Sequence, residues 1–374
     1  MGELLRQYGP TALAWALFLT RRRREDGARQ SVRWVLLGFA VSLSALTPAG
    51  FAVGATLGAP AATRLVGHAA MLAVVWAGLE FVVQMNGRHR GPRWHAWWIT
   101  GSFAVMCLLF ALAPDLLPQS PWILEYCVVY LVAQAPALLL IARLCLRYAG
   151  LAGEPALRLG LRMVAAGSAG SLLYLVHKVL QTAVSRIDFD YPLGHAAVMS
   201  KVLPTASTVL VLLGAAIPAA VGWLRRYRLF RLLGPLWSAL YRADPGIALD
   251  PPGLPDVLVL GRLRSRLYRR VIEIRDGLLA LQPYRTLDIA TTAREHAAST
   301  GLTGDRLEAV VEAITVAAAL RSRAAGDPPG TPEVPVAGGG NLDSDTAFLG
   351  RVSLAYRRYE AATGRAGVRA GRSR

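Results

Sequence analysis

An all-α, polytopic membrane protein, with seven transmembrane helices and a C-terminal cytosolic helical domain, is the fold class this sequence predicts. Three observations predict it. The 374 residues are 54% hydrophobic and only 17% charged, too apolar for a fully wetted surface. Seven apolar segments approach or reach the ~20 residues that a hydrocarbon core of ~30 Å requires. The loops between them alternate between arginine-rich and arginine-poor.

The first segment, Leu4 to Thr20, has Arg6 near its start and is followed at once by Arg21, Arg22, Arg23 and Arg24. A signal peptide carries its charge before the apolar run, so this one reads as an uncleaved span with its N-terminus outside. It is short, and is completed either by interfacial residues or by chain upstream of Met1. Six more spans are expected at Val35 to Leu57, Leu65 to Gln84, Trp94 to Ala113, Trp122 to Leu146, Leu159 to Val184 and Leu203 to Leu224. The loops holding Arg21–Arg24, Arg29 and Arg33, then Arg88, Arg90 and Arg93, then Arg143, Arg147, Arg158 and Arg162 carry 13 basic residues. The intervening loops carry three, Arg64, Arg186 and Lys201. Because arginine-rich short loops stay in the cytoplasm, the expected topology in the cell membrane is N-terminus outside and C-terminus cytoplasmic. Trp94, Trp97, Trp98, Trp122 and Trp223 fall near span ends, where amphipathic rings prefer the headgroup region.

Residues 1–224 are thus a seven-helix transmembrane domain. Residues 225–257 read as a juxtamembrane amphipathic stretch and linker. Arg225, Arg226, Arg228 and Arg231 flank Leu229, Phe230, Leu232, Leu233, Leu236 and Trp237, a pattern suited to anionic lipids at the inner surface. In the helical domain, 258–324, Leu263, Leu267, Val271, Ile274, Leu278 and Leu281 recur at alternating four- and three-residue steps. Arg269 and Glu273 are assigned to the outer side of that helix, and Arg262, Arg264, Arg266, Arg269 and Arg270 to its solvated back. Two further helices are expected at Leu287 to Ser299 and Arg306 to Arg321. Proline and glycine make 325–340 a flexible linker, 341–360 a C-terminal helix that docks on the domain, and 361–374 a disordered basic tail.

The net charge of +17 is nearly all arginine, since Lys178 and Lys201 are the only lysines. No zinc pattern or aromatic RNA-binding motif accompanies it, so the partners expected are the bilayer and a cytosolic protein engaging residues 224–374, and not nucleic acid. Cys107, Cys127 and Cys145 lie in apolar stretches with no CxxC, and read as small core residues. HExxH, GxSxG, GxxxxGK[ST] and a dinucleotide fingerprint are all missing from the sequence. Neither an enzyme nor a cofactor or metal is expected.

Three blocks carry a resemblance. LRLGLRMVAAG with YLVHK (Leu157 to Lys178), GPLWSALYRADPGIALDPP (Gly234 to Pro252) and LYRRVIEIRDGLLALQPY (Leu267 to Tyr284) resemble actinobacterial seven-span membrane proteins described as transporters, whose cytosolic C-terminal part has unknown function. The resemblance covers nearly the whole chain and implies the architecture. It carries no substrate and no catalytic residue onto these positions.

Candidate functional residues are polar groups inside spans. On the helix Leu157 to Val184, Gly167, Gly170, Ser171, Tyr174, His177, Lys178 and Gln181 share one face. Of these, Tyr174, His177, Lys178 and Gln181 form a candidate ligand pocket with His68 and Glu125, in which Lys178 or a histidine meets an anionic ligand or responds to external pH. The competing reading places Lys178 about 8 Å below the outer surface by helix rise, snorkelling to the headgroups. Glu80 and Gln84, four apart near the inner end of the third span, form a second candidate site within reach of Arg88 or Arg162. The expected function is a sensor or signalling scaffold coupling the outer pocket to the cytosolic domain, with small-molecule transport as the alternative. Paired reporter fusions check the topology. Fusions at Asp26, Arg90, Gly153 and Arg374 should report cytoplasm and those at Leu57, Leu117 and Asp190 the outside, and an outside reading at Arg90 would overturn this order.

Overall fold

The computed structural model describes residues 2–20, 27–85, 93–112, 120–187, 196–249, 256, 262–331, 334–335, 338 and 341–372, with no strand among them. Its α-helices are α1 (Gly2–Thr20), α2 (Gly27–Ala45), α3 (Pro48–Thr56), α4 (Ala62–Met85), α5 (Arg93–Leu112), α6 (Ile123–Leu151), α7 (Pro155–Arg186), α8 (Ala196–Leu232), α9 (Gly234–Ala243), α10 (Leu263–Ala280), α11 (Leu287–Ser299), α12 (Gly304–Ala325) and α13 (Leu342–Arg372). The chain divides into two compact units, Met1–Ala220 and Val221–Arg374. α8 runs through that boundary as one helix.

In the first unit several large apolar side chains face outward while polar ones are buried. Leu108, Leu139, Leu173 and Leu180 are exposed, whereas Gln134, Ser168, His177, Thr182, Ser207 and Thr208 are buried. Helices surrounded by lipid gain nothing by hiding leucine and much by satisfying polar groups against each other. Five helices among the described residues are long and apolar enough to cross a membrane, or six if α2 and α3 count as one span. α1 is not among them, and it carries Glu3 and Arg6 in its first turns.

The expected single span Val35 to Leu57 is broken. α2 and α3 meet at 70°, because Pro48 has no N–H to continue α2 and disfavours helical geometry at Thr47. Thr47 is extended, and its Oγ1 accepts a hydrogen bond from the Gly50 N–H at 3.1 Å, capping α3.

Small residues set the closest helix contacts. A Cβ on Gly160 would lie 2.5 Å from the Gly214 carbonyl oxygen, and one on Gly167 would lie 2.7 Å from the Ser207 carbonyl oxygen, so α7 and α8 touch backbone to backbone. α2 and α4 do likewise at Gly38, which faces Val74, and the Ser42 hydroxyl donates to the Gly67 carbonyl at 2.8 Å. α4, α5 and α6 share a second cluster built on Leu72, Val75, Leu79, Met106 and Tyr126.

The second unit has a core of ordinary type, in which Leu233, Leu236, Trp237 and Leu240 of the α8–α9 region meet Ile274 and Leu278 of α10, Ala313 and Val316 of α12, and Leu349 and Val352 of α13. Two expectations are corrected here. Trp237, expected at the lipid surface, is 7% exposed and donates its indole N–H to Glu273 at 2.7 Å. Arg270 and Glu273, expected on a solvated face, are buried. Arg270 pairs with Asp256 through both guanidinium ends at 2.5 and 2.9 Å, donates to the Phe230 carbonyl at 3.2 Å, and lies 3.8 Å over the Phe230 ring and 4.7 Å over that of Trp237. The stretch 225–243 is therefore helix built into the compact unit. Asp244, within the expected stretch and linker 225–257, caps a short 3-10 turn at Pro245–Ile247, and 250–255 lie outside the described residues.

In the expected linker 325–340, Gly326 (φ 80°) ends α12 in a left-handed conformation that suits glycine, and the Gly330 N–H donates to the Pro283 carbonyl at 2.8 Å. α13 continues to Arg372, through residues assigned to a tail, because the alanines and arginines between its glycines prolong a helix already nucleated. Arg275 and Asp345 join α10 to α13. Burial holds the Tyr356 hydroxyl above its ordinary pKa.

Among the described residues the deepest ion pair of this unit joins Arg285, 2% exposed, to Glu312 at 2.6 Å. Arg285 Nε and Nη1 and Glu312 Oε1 have no further partner among the described residues. Arg285→Met alone should cost about 3–5 kcal/mol, since it strands a buried carboxylate, while the double variant with Glu312→Leu should recover most of that. Chemical unfolding of the three proteins checks this, and equal stability of the single and double variants would refute it.

Candidate functional site

α6 and α7 pack along each other, and Glu125 near the start of α6 pairs with Arg186 at the end of α7 at 2.6 Å, so the two helices run antiparallel. Continuing inward, Cys127 of α6 faces Thr182 and Lys178 of α7. This arrangement brings the expected pocket residues of α6 and α7 to one level. Glu125, however, is held by Arg186 at the half-exposed end, and not by Lys178.

Two groups of polar contacts lie at that level. On the α4 side, His68 Nδ1 is 2.8 Å from the Tyr126 hydroxyl, and its ring centroid is 4.6 Å from that of Tyr130. On the α8 side, Lys178 Nζ donates to Gln181 Oε1 at 3.1 Å, the Ser200 hydroxyl donates to the same oxygen at 3.2 Å, and Ser200 Oγ lies 3.5 Å from His177 Nε2. His177 is 6% exposed, and Tyr174 sits half-buried one turn before it. Thr182 returns its hydroxyl to the Lys178 carbonyl at 3.0 Å. Among the described residues the result is a polar belt crossing α4, α6, α7 and α8, holding Lys178, His68, His177, Tyr126, Tyr130 and Tyr174. Such a set of contacts can hold an anion against Lys178, whose shared acceptor Gln181 also binds Ser200 of α8.

The second expected site is smaller. Gln84 Oε1 accepts from Ser31 of α2 at 3.2 Å, and Glu80 is half-buried one turn earlier. Arg162 lies on α7, and Arg88 falls outside the described residues, as do Arg21 to Arg24 and Arg90. Among the described residues, no group of three or more His, Cys, Asp or Glu could hold a metal ion. Of the expected lipid patch, Arg225, Arg226, Arg228 and Arg231 are exposed, and the Arg231 guanidinium lies 6.0 Å from the Tyr227 ring, itself stacked on Trp223.

Sequence reasoning missed Tyr126, Ser200 and the pairing role of Arg186. Arg186 was counted only as a loop charge, and Ser200, beside Lys201, gave no periodic signal. The shared acceptor makes Gln181 the critical member of the α7–α8 contacts. Gln181→Leu should lower stability by about 1–2 kcal/mol. A double-mutant cycle with Ser200→Ala, measured by unfolding in detergent, should give a coupling well above zero, and additivity would show that the two side chains do not interact.

Residues 222–358, from the C-terminal part of α8 into α13, match the model of a family of unknown function, DUF6545. No curated protein and no solved structure matches the chain.

Proposed function

We propose that the chain is a seven-span cell-membrane protein, N-terminus outside and C-terminus cytoplasmic, that acts as a sensor or signalling scaffold. One observation carries this reading. α8 holds Ser200 of the polar belt near one end and, near its other end, Phe230, whose carbonyl and ring are both engaged by Arg270. The coupling proposed runs along α8 itself, from the residue that bonds Gln181 to the residue that Arg270 grips. The input is an anionic ligand at Lys178. The output is a cytosolic protein that engages residues 224–374. Neither a catalytic step nor a cofactor enters this reading.

Small-molecule transport is the second reading, and the 70° break between α2 and α3 favours it, since transporters place interrupted helices beside their sites. It calls on Glu80 and Gln84 as well as Lys178, so that both depths of the membrane are used.

Hydrogen exchange on the full chain in nanodiscs separates the two. Under the sensor reading, Lys178→Met and Gln181→Leu speed exchange at amides 230–243 and 265–275 by about fivefold, the factor given by ~1 kcal/mol of coupling, while Glu80→Gln does not. If the α7 peptides change and those amides stay at the wild-type rate, the belt is not coupled to the second unit. Loss of uptake activity in Glu80→Gln and Lys178→Met alike would assign the residues to transport.

A further inference from the structure

The second unit assembles arginines from two helices that are far apart in sequence. Leu263 and Leu267 of α10 pack on Tyr227 and Phe230 of α8, and at the other end of α10 Gly277 lies against Leu240 of α9. α10 therefore runs in the same sense as the α8–α9 segment. Its first turns lie beside the last turns of α8, just past the point where the apolar run of that helix gives way to arginine. Arg262, Arg264 and Arg266 are exposed there, together with Arg225, Arg226, Arg228 and Arg231. The acids nearest in the fold are already engaged. Asp256 is held by Arg270 through both oxygens, and Glu273 by Trp237, with Arg269 at 3.7 Å. Among the described residues none of the seven exposed arginines forms an ion pair.

Seven uncompensated guanidinium groups at one end of a folded unit repel each other unless anions lie among them. The chain supplies its own neighbour of that chemistry. α8 is the continuation of an apolar span, Trp223 and Tyr227 stack at the level where aromatic rings meet headgroups, and each arginine held near an anionic leaflet gains from it. The geometry points to a two-helix site for anionic lipid headgroups, in which Arg262, Arg264 and Arg266 of α10 complete the set begun by Arg225, Arg226, Arg228 and Arg231 of α8. Guanidinium forks bind phosphate oxygens in pairs, so phosphodiester headgroups are the ligand class. The apolar seam Leu263–Leu267 holds the two sets in register, and the α10 arginines act as a unit with the membrane anchor. The site rests on the membrane reading of α8 and is independent of the sensor reading.

The test uses the full chain in nanodiscs, which present the same lipids on both faces, so the result does not depend on topology. Hydrogen exchange at amides 262–270 is compared in phosphatidylcholine alone and in phosphatidylcholine mixed with phosphatidylglycerol. Exchange should be about fivefold slower in the anionic discs, and the difference should shrink as salt is raised. It should vanish in R262Q/R264Q/R266Q, whose exchange across α12 stays at the wild-type rate. Equal rates in the two lipids would overturn the proposal, as would full protection in the triple variant. If inorganic phosphate added to phosphatidylcholine discs reproduced the protection, the surface would be a site for soluble anions and the lipid assignment would fall. The salt series on the unmodified chain keeps the test decisive if the triple variant folds poorly.

Discussion

A hydrocarbon interior offers no hydrogen-bond partner, and the first unit is arranged around that constraint. Polar side chains of its helices point at one another, as Lys178, Gln181, Ser200 and His177 do, while Leu108, Leu139, Leu173 and Leu180 point outward. Glycine and serine at the seams then matter more than bulk, because packing and not water expulsion holds such helices together. Gly160 against Gly214 and Gly167 against Ser207 bring α7 and α8 close enough for short polar side chains to meet across the seam. On the same pair of helices Ser200 of α8 donates to Gln181 of α7 at 3.2 Å.

The second unit obeys the opposite solvent rule and solves a different problem. It buries apolar side chains from four helices, and it buries charge with them. Arg270 between Phe230 and Trp237 and Arg285 against Glu312 are guanidinium groups in places where leucine would pack. Such groups add little net stability over an apolar core of the same volume, but they accept few alternative arrangements. Arg270 reaches a carbonyl, two rings and a carboxylate at once, and this fixes the end of α8 relative to α10. The match of residues 222–358 to one family model begins just ahead of this contact.

Much of the helical framework was legible in the sequence, because long apolar runs and three-to-four periodicity are local signals. α11 has the bounds Leu287–Ser299 that its pattern predicts, and α4 to α7 lie within a few residues of theirs. The break at Pro48 was not legible from the residue type alone. Pro10, Pro136, Pro204 and Pro218 stand inside continuous helices, and what differs at Pro48 is a threonine before it that can cap a new helix. His177, Lys178 and Gln181 were found because they interrupt an apolar face. Ser200, which meets Gln181 and His177, and Tyr126, which meets His68, were not, since both are ordinary where they stand and become notable only through contacts with another helix. Arg270 was misplaced for a related reason: in a run of arginines, periodicity cannot tell which one turns inward, and its partner Asp256 lies in a proline-rich stretch with no regular pattern.

One contact bears on how the chain is made. Ser353 of α13 donates its hydroxyl to the Leu232 carbonyl at 2.7 Å and accepts from the Leu236 N–H at 3.3 Å, bridging the junction of α8 and α9. Those partners lie 121 and 117 residues back along the chain. During synthesis α8 has long left the ribosome before α13 exists, so the last apolar helix is committed to its place while the domain that closes on it is still missing a wall. Until α13 arrives, Leu233, Leu236 and Val316 lack part of their cover, and the growing chain carries an open apolar face tethered to an inserted helix. Tethering confines that face to the surroundings of a single chain while its last wall is being made.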